Sequence, residues 1–314
     1  MSTVNILITG GTGLIGRELS KELVAKGYGV MILTRSPKKS DTERVEFYQW
    51  NIEKQFIDPV AIAKADYIIH LAGEGVADKR WSKKRKKEIL ESRTESGKLL
   101  VKAVNDNPAN KIKAVVSSSA IGYYGEDPAI PNPNPFTEND PPDEDFLGET
   151  CRLWEASTDP FTAMGKRLVK IRTGIVLSRE GGALKEFIKP LKFGIASILG
   201  SGRQMISWIH IQDLCRIYID AIENGNLNGV YNAVAPRPVS NKTLTLQLAK
   251  SMRGQFYIPL HVPSFALKMA LGEMSTEVLK STSVSAGRIS ATGFTFLYPS
   301  IESAIEQLVK TSDH

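Results

Sequence analysis

Cysteine, histidine and long apolar runs are scarce in this chain of 314 residues. The two cysteines, Cys151 and Cys215, are too few for a disulfide framework and indicate a reducing compartment. The four histidines are widely separated and no cysteines are paired in sequence, so a metal site has little support. No apolar run approaches the length of a membrane span, and no basic region with a cleavable apolar core begins the chain. These absences predict a cytoplasmic protein with no metal site and no membrane association.

The positive charge of the chain is modest and concentrated. The formal net charge is +6, and much of it lies in the stretch Lys79–Lys87. Such a run can bind nucleic acid or an acidic substrate. A solvated helix start is the favoured interpretation, because Ser82 can cap a helix whose buried stripe would include Ile89, Leu100 and Val104. An anionic substrate stays open. Nothing nearby resembles a nucleic-acid-binding module, so we predict no nucleic-acid partner.

The most informative segment follows the first predicted strand. Residues 4–8 form a short aliphatic run typical of a buried parallel strand, and Thr9-Gly-Gly-Thr-Gly-Leu-Ile-Gly16 comes directly after it. Ile15, Leu19 and Leu23 then recur every four residues, which predicts an amphipathic helix. Strand, glycine turn and helix in this order are typical of a dinucleotide-binding site.

Each glycine of this turn has a predicted role. Gly10 would permit a tight turn, Gly13 would let a diphosphate approach the backbone, and Gly16 would allow close packing of the helix. The diphosphate would lie against the N–H groups at the start of the helix. The spacing GxxGxxG resembles that of the extended short-chain dehydrogenase/reductases, which include nucleotide-sugar epimerases, dehydratases and related reductases. The resemblance implies a Rossmann-like doubly wound parallel sheet with a smaller C-terminal substrate domain.

The rest of the chain alternates strand and helix signals, as expected for an α/β protein with a parallel sheet covered on both faces. Further strands are predicted at 29–34, 45–48, 67–71, 114–117, 168–172 and 230–234, and a proline-rich loop at 127–142. We predict a dinucleotide-binding domain at 1–175, joined by about 207–235. The smaller substrate domain would comprise 176–206 and 236–314.

The end of the second strand predicts the cofactor. NAD-specific sites commonly place an acidic residue about 20 positions after the glycine turn. Here the strand ends in Thr34-Arg35-Ser36, with Lys38 and Lys39 following and no acid before Asp41. Arg35 could bind a 2′-phosphate with its planar guanidinium, and Ser36 could donate a further hydrogen bond. We therefore predict NADP(H), with an ordinary surface arginine as the alternative.

Two more strand ends carry the resemblance. His70-Leu71-Ala72-Gly73 is similar to the family segment that passes beside the cofactor riboses, with His70 interpreted as a buried structural residue. Residues 117–125, SSSAIGYYG, are similar to the serine-rich strand end of the family, which implies that Ser119 is the active-site serine. Tyr123 is a candidate to assist it.

The next family motif is missing. Extended members carry Tyr-x-x-x-Lys on a helix, where the lysine favours proton exchange by the tyrosine. Anchoring the helix on Trp154-Glu155 places Leu147 at the tyrosine position and Cys151 at the lysine position. Cys151 is then a candidate proton carrier if nearby positive charge activates its thiol, or a small packing residue otherwise.

Arg93 also departs from the family, since it replaces an asparagine that supports the active site. It lies on the same helical stripe as Ile89 and Leu100, so it needs a cofactor phosphate, a substrate or a protein carboxylate as partner. The chain is thus similar to an atypical branch known as epimerase family proteins. The resemblance implies an NADP(H)-dependent oxidoreductase or nucleotide-sugar-epimerase-like enzyme acting on a small molecule, with an anionic substrate left open; an inactive NADP(H)-binding sensor or regulatory protein is the alternative. The predicted cofactor-binding residues are Gly10, Thr12, Gly13, Leu14, Ile15, Gly16, Arg35, Ser36, Leu71, Ala72, Gly73 and Arg93.

Overall fold

The computed structural model of the protein describes residues 3–37, 39–40 and 42–310, so Lys38 and Asp41 lie outside the described residues. The strands are β1 (Asn5–Thr9), β2 (Gly29–Thr34), β3 (Val45–Asn51), β4 (Phe56–Ile57), β5 (Tyr67–His70), β6 (Ala114–Ala120), β7 (Arg167–Thr173), β8 (Ile175–Leu177), β9 (Ile195–Leu199), β10 (Met205–Ile206), β11 (Trp208–His210), β12 (Gly229–Ala233), β13 (Val239–Ser240) and β14 (Ile258–Val262). The α-helices are α1 (Leu14–Ala25), α2 (Pro59–Lys64), α3 (Lys83–Asn105), α4 (Phe146–Thr158), α5 (Pro160–Ala163), α6 (Ala183–Leu191), α7 (Ile211–Glu223), α8 (Asn241–Arg253), α9 (Ser264–Leu271), α10 (Ser275–Leu279), α11 (Gly287–Ala291) and α12 (Ile301–Lys310). Short 3₁₀ helices span Ile121–Tyr123 and Gly272–Met274.

The main sheet is a doubly wound parallel sheet, as predicted. Its eight strands lie in the order β12-β7-β6-β5-β1-β2-β3-β4, and only β4 runs antiparallel to its neighbour. From β1 the chain winds outward through β2 and β3, then returns to the other side of β1 with β5. The strand order therefore reverses between β1 and β5. In open α/β sheets, ligands bind outside the carboxyl ends of the strands at such a point.

Alternating side chains of each strand build a separate core on each face of the sheet. On β1, Ile6 and Ile8 pack into one core with residues of α1 and α7. Leu7 points to the other face and packs with residues of α2 and α3. All three side chains are fully buried, which explains the continuous apolar run of this strand.

The later part of the chain packs around a third core. Leu184 of α6, Leu244 and Leu248 of α8 and Ile305 of α12 belong to it. The strand pairs β8/β11, β9/β14 and β10/β13 lie in this part, whereas β12 returns to the edge of the main sheet beside β7. The division into two domains at residues 175, 207 and 235 stays a prediction. Within the described ranges, no helix combines the length and the apolar character that crossing a bilayer requires.

Candidate active site at the carboxyl edge of the sheet

The glycine turn leaves open space at the start of α1. Gly10 has φ +67°, and the Gly13 N–H donates to the Gly10 carbonyl oxygen at 2.9 Å, which closes a tight turn. A Cβ at Gly16 would overlap the Gly10 carbonyl, so this position is fixed by packing. A Cβ at Gly13 would meet only the Gly10 oxygen, at 3.2 Å. Helix α1 begins at Leu14 with no side-chain cap and no acidic residue in its first turn. An uncapped helix start beside a glycine whose missing side chain leaves room fits a dinucleotide diphosphate.

A buried network ties the ends of β1 and β5 together at the point where the strand order reverses. Thr9 Oγ1 accepts the backbone N–H groups of Leu71 and Ala72, each at 3.1 Å, and lies 2.7 Å from His70 Nδ1. Since Thr9 Oγ1 already accepts two hydrogen bonds, its own proton points at Nδ1 and the neutral ring carries its proton on Nε2. His70 Nε2 faces Ser96 Oγ at 3.4 Å. Burial lowers the pKa of His70 from 6.5 to about 4, in agreement with a structural, uncharged histidine.

The two segments that flank this network come close to the glycine turn. A Cβ at Gly10 would lie 2.9 Å from the carbonyl carbon and oxygen of Leu71. Leu14, the first residue of α1, lies against Gly182 of the loop after β8, where an added Cβ would be 3.3 Å from its Cδ2. Ile15 packs against the core beneath the turn, and the carbonyl of Thr12 accepts Arg17 Nη1 at 2.7 Å. The structure thus brings the predicted glycine-turn residues and Leu71–Gly73 together.

The predicted phosphate-binding residues lie at the end of β2, the neighbour of β1. Arg35 and Ser36 are exposed. Arg35 makes no hydrogen bond or ion pair with the described residues, and the Ser36 N–H donates to Thr34 Oγ1 at 3.3 Å. The guanidinium is therefore available to an anion from solution.

On the other side of β5, the serines of β6 point alternately to the two faces of the sheet. The Ser118 hydroxyl hydrogen-bonds the Tyr218 hydroxyl of α7. Ser119 points to the opposite face, where its hydroxyl donates to Glu155 Oε1 of α4 at 2.7 Å. Ser119 is only 2% exposed, so its proton is held inside the protein in this arrangement.

Glu155 also forms a buried ion pair with Arg172 at the end of β7. Arg172 Nε lies 2.8 Å from Glu155 Oε1, and Nη2 lies 3.1 Å from Oε2. Burial alone would lower the pKa of Arg172, but the hydrogen bonds and charge of Glu155 outweigh it and raise that pKa. Arg172 Nη1 donates to the Tyr124 hydroxyl at 2.9 Å. The guanidinium carbon lies 3.4 Å from the centre of the Tyr123 ring, so the pair also fixes the aromatic turn after β6.

Tyr123 is the candidate catalytic residue whose hydroxyl has no partner within the described protein. Its ring is half-buried, and its hydroxyl makes no hydrogen bond to any described residue. Its carbonyl accepts the Asp143 N–H at 2.8 Å, which holds the turn against the segment that follows the proline-rich loop. Among the three predicted catalytic residues, Tyr123 is the one whose polar atom is neither buried nor engaged within the described protein.

Leu147 and Cys151 lie on helix α4 one helical turn apart, as their spacing in the sequence predicts. Asp145 caps it by accepting the Gly148 N–H at 2.7 Å. Leu147 lies beside Gly122, where an added Cβ would be 3.3 Å from its own Cβ. Cys151 is 4% exposed and hydrogen-bonds the backbone of Ala120. Burial raises the pKa of its thiol from 9.0 to about 12 despite the positive charge of Arg93 nearby, which favours the packing interpretation.

The basic stretch is a helix start, as favoured. Ser82 caps α3 by accepting the Arg85 N–H at 3.1 Å. Arg85 is buried and binds Glu74 at 3.2 Å and Glu88 at 3.1 Å, whereas Lys84 and Lys87 are exposed. On the same helix Arg93 is buried and pairs with no carboxylate of the described residues.

The Glu155–Arg172 pair was not predicted from the sequence. Glu155 follows Cys151 by one helical turn and therefore lies on the inward side of α4, and Arg172 lies near the end of β7 after the buried residues Leu168, Val169 and Ile171. A charged residue on each of two buried surfaces is the signal that predicts such a pair. Over the described ranges, no three His, Cys, Asp or Glu side chains are grouped so as to hold a metal ion.

Known proteins match both parts of the chain. Residues 6–148 match the NAD dependent epimerase/dehydratase family, and residues 262–308 match DUF1731, a domain of unknown function. The epimerase family protein YfhF of Bacillus subtilis is 34% identical over 98% of this chain and 98% of its own length. The human epimerase family protein SDR39U1, whose crystal structure was solved with NADPH, superposes with a TM-score of 0.85 at 29% identity, covering 98% of this chain and 99% of that one. A nucleoside-diphosphate sugar epimerase of Corynebacterium glutamicum has a TM-score of 0.76 at 32% identity, over 98% of this chain and 59% of that one.

Proposed function

Because the chain belongs to the epimerase family proteins, we propose that it binds NADP(H) at the carboxyl edge of its sheet and acts as an oxidoreductase or epimerase-like enzyme on a small molecule. One observation carries the proposal: the open glycine turn lies where the strand order reverses between β1 and β5, and Arg35 directly follows β2, the neighbour of β1. The human relative solved with NADPH supports the same cofactor.

Each predicted cofactor-binding residue named below would then contact a particular part of NADP(H). The N–H groups at the start of α1 would hold the diphosphate, with Gly13 leaving it room. Arg35 would bind the 2′-phosphate and Ser36 would add a hydrogen bond. Leu71, Ala72 and Gly73 would present backbone to the cofactor riboses. When bound, NADP(H) would supply or accept a hydride.

For the proton that accompanies hydride transfer, we propose Tyr123. Its hydroxyl is free of protein partners among the described residues, whereas the Ser119 proton is held by Glu155 and the Cys151 thiol is buried and neutral. The Arg172 guanidinium on the ring face would hold the phenol in position. Ser119 would keep a structural tie between β6 and α4.

A regulatory NADP(H)-binding protein is the second candidate, favoured by Leu147 and Cys151 at the positions of the missing tyrosine and lysine. NADPH oxidation with a panel of carbonyl compounds and nucleotide sugars separates the two. Turnover that Tyr123→Phe reduces by about a hundredfold or more supports the enzyme and its proton carrier. Tight NADPH binding without turnover on any compound, together with a partner bound only in the presence of NADPH, supports the regulator.

A further inference from the structure

Arg93 is a buried cation that the protein does not neutralise. Three arginines of the described residues are buried: Arg85 at 5%, Arg93 at 8% and Arg172 at 3% exposure. Arg85 has two carboxylate partners and Arg172 has Glu155, but Arg93 has none. The carboxylate whose charge acts on Arg93, that of Glu74, is already bound to Arg85. A buried charge without a partner is costly, so a function that needs the charge is the expected reason for its presence.

The side chain is held in place by contacts that leave most of its donors unused. Arg93 Nη1 donates to the Ile89 carbonyl at 2.9 Å, and the guanidinium carbon lies 5.0 Å from the centre of the Trp154 ring. A guanidinium has five N–H donors, and the described protein accounts for one. Beside it, Trp154 Nε1 is buried without a hydrogen-bond partner. Two neighbouring side chains therefore carry donors that lack an acceptor.

Arg93 lies at the same edge of the sheet as the proposed active site. A Cβ at Gly73, which is exposed, would be 3.2 Å from both Cγ and Cζ of Arg93. The positive charge of Arg93 lowers the pKa of the Cys151 thiol, but burial raises that pKa more strongly and keeps the thiol uncharged. The guanidinium thus lies beside the end of β5, close to α4 and just beneath an open surface.

Arg93 does not belong to the predicted diphosphate site. That site lies at the end of β1 and the start of α1, whereas Arg93 belongs to α3 and borders β5 and α4. The planar fork of an arginine matches the two oxygens of a carboxylate. We propose that Arg93 binds a carboxylate of the substrate, so that the small molecule on which the protein acts is a carboxylic acid. This proposal rests on the proposed function for the location of the active site.

The test compares carboxylates with amides of the same shape. Acetate, benzoate and oxalate, and the matching acetamide, benzamide and oxamide, are titrated calorimetrically into the protein with and without NADPH. We expect at least one acid to bind about tenfold or more tightly than its amide. The acid should lose that advantage in Arg93→Met and retain part of it in Arg93→Lys. NADPH affinity should stay within about twofold of wild type in both variants. Lys87→Met is the matched control, because Lys87 is exposed on the same helix and its replacement removes the same charge, and it should leave acid binding unchanged.

The outcomes distinguish this proposal from the proposed function. Equal affinity of every acid and its amide in wild type overturns the carboxylate site, and this comparison needs no variant to fold. A loss of NADPH affinity in Arg93→Met or Arg93→Lys with acid binding unchanged also overturns it, and assigns Arg93 to a cofactor phosphate. Failure of wild type to bind NADPH overturns the proposed function instead, and the acid titration without NADPH still decides the role of Arg93.

Discussion

The Ser119 hydroxyl donates a hydrogen bond of 2.7 Å to Glu155, the carboxylate that also binds Arg172. One buried carboxylate therefore joins α4 to the ends of β6 and β7. Ser119, which the family resemblance implies is catalytic, is therefore hydrogen-bonded to the Glu155–Arg172 ion pair. The Arg172 guanidinium lies on the face of the Tyr123 ring. The proposed proton carrier is thus positioned by the same contacts that engage Ser119.

Removing Glu155 should strongly destabilise the protein. Glu155→Gln leaves the Arg172 charge buried and unpaired, which costs about 3–5 kcal/mol. The double variant Glu155→Gln/Arg172→Met should lose less than the sum of the two single changes, since the two residues interact directly. Urea unfolding measures both. Glu149→Gln, which breaks the exposed pair with Arg152 on the same helix, is the control and should unfold like wild type. Additive losses would show that the ion pair is not coupled.

His70 should make stability depend on pH. Its pKa is lowered from 6.5 to about 4 in the folded protein, so below pH 6.5 the unfolded chain takes up a proton that the folded chain does not. The stability from this residue is complete above pH 6.5 and falls as the pH drops, by roughly 3 kcal/mol at pH 4. His70→Gln should remove this part of the slope, measured by unfolding at a series of pH values. His261→Gln, at an exposed position, should keep it; identical slopes in wild type and His70→Gln would contradict the assignment.

Gly13 and Gly16 should respond differently to valine. Gly13→Val should abolish dinucleotide binding and leave the protein folded, because its side chain would meet little besides the Gly10 carbonyl but would fill the space for the diphosphate. Gly16→Val should reduce stability by about 1–3 kcal/mol or more, because the new side chain overlaps the turn itself. Thermal unfolding and NADPH titration of the two variants give the comparison. Intact NADPH affinity in folded Gly13→Val would place the dinucleotide elsewhere.

Cys151 should behave as a packing residue. Because its thiol pKa is raised to about 12, iodoacetamide at pH 8 should leave it unmodified in the folded protein and modify it in urea, as mass spectrometry can show. Once a substrate is found, Cys151→Ala should retain activity. A loss of about a hundredfold in both Cys151→Ala and Cys151→Ser, with NADPH affinity unchanged, would instead make the thiol part of the mechanism.

The sheet and the glycine turn could be predicted because each depends on neighbours in sequence. Apolar runs such as residues 4–8 and the fixed glycine spacing report the strand and the turn directly. The environment of Ser119 could not be predicted in this way, since Glu155 lies 36 positions away and Arg172 a further 17. The same holds for Arg93: its helical spacing predicts that it is buried, but the lack of a carboxylate is visible only when every chain segment around it has been placed.

Cofactor selection is the most direct test of the account. NADPH and NADH are titrated into wild type, Arg35→Ala and Arg44→Ala, where Arg44 is an exposed arginine that donates to the Gly27 carbonyl and controls for net charge. We predict that wild type binds NADPH at least about tenfold more tightly than NADH, and that Arg35→Ala loses about 1.5–3 kcal/mol of NADPH binding with NADH nearly unchanged. Arg44→Ala should match wild type. Equal affinity for the two cofactors in wild type, or equal losses for both in Arg35→Ala, would contradict an NADP(H) site at the end of β2.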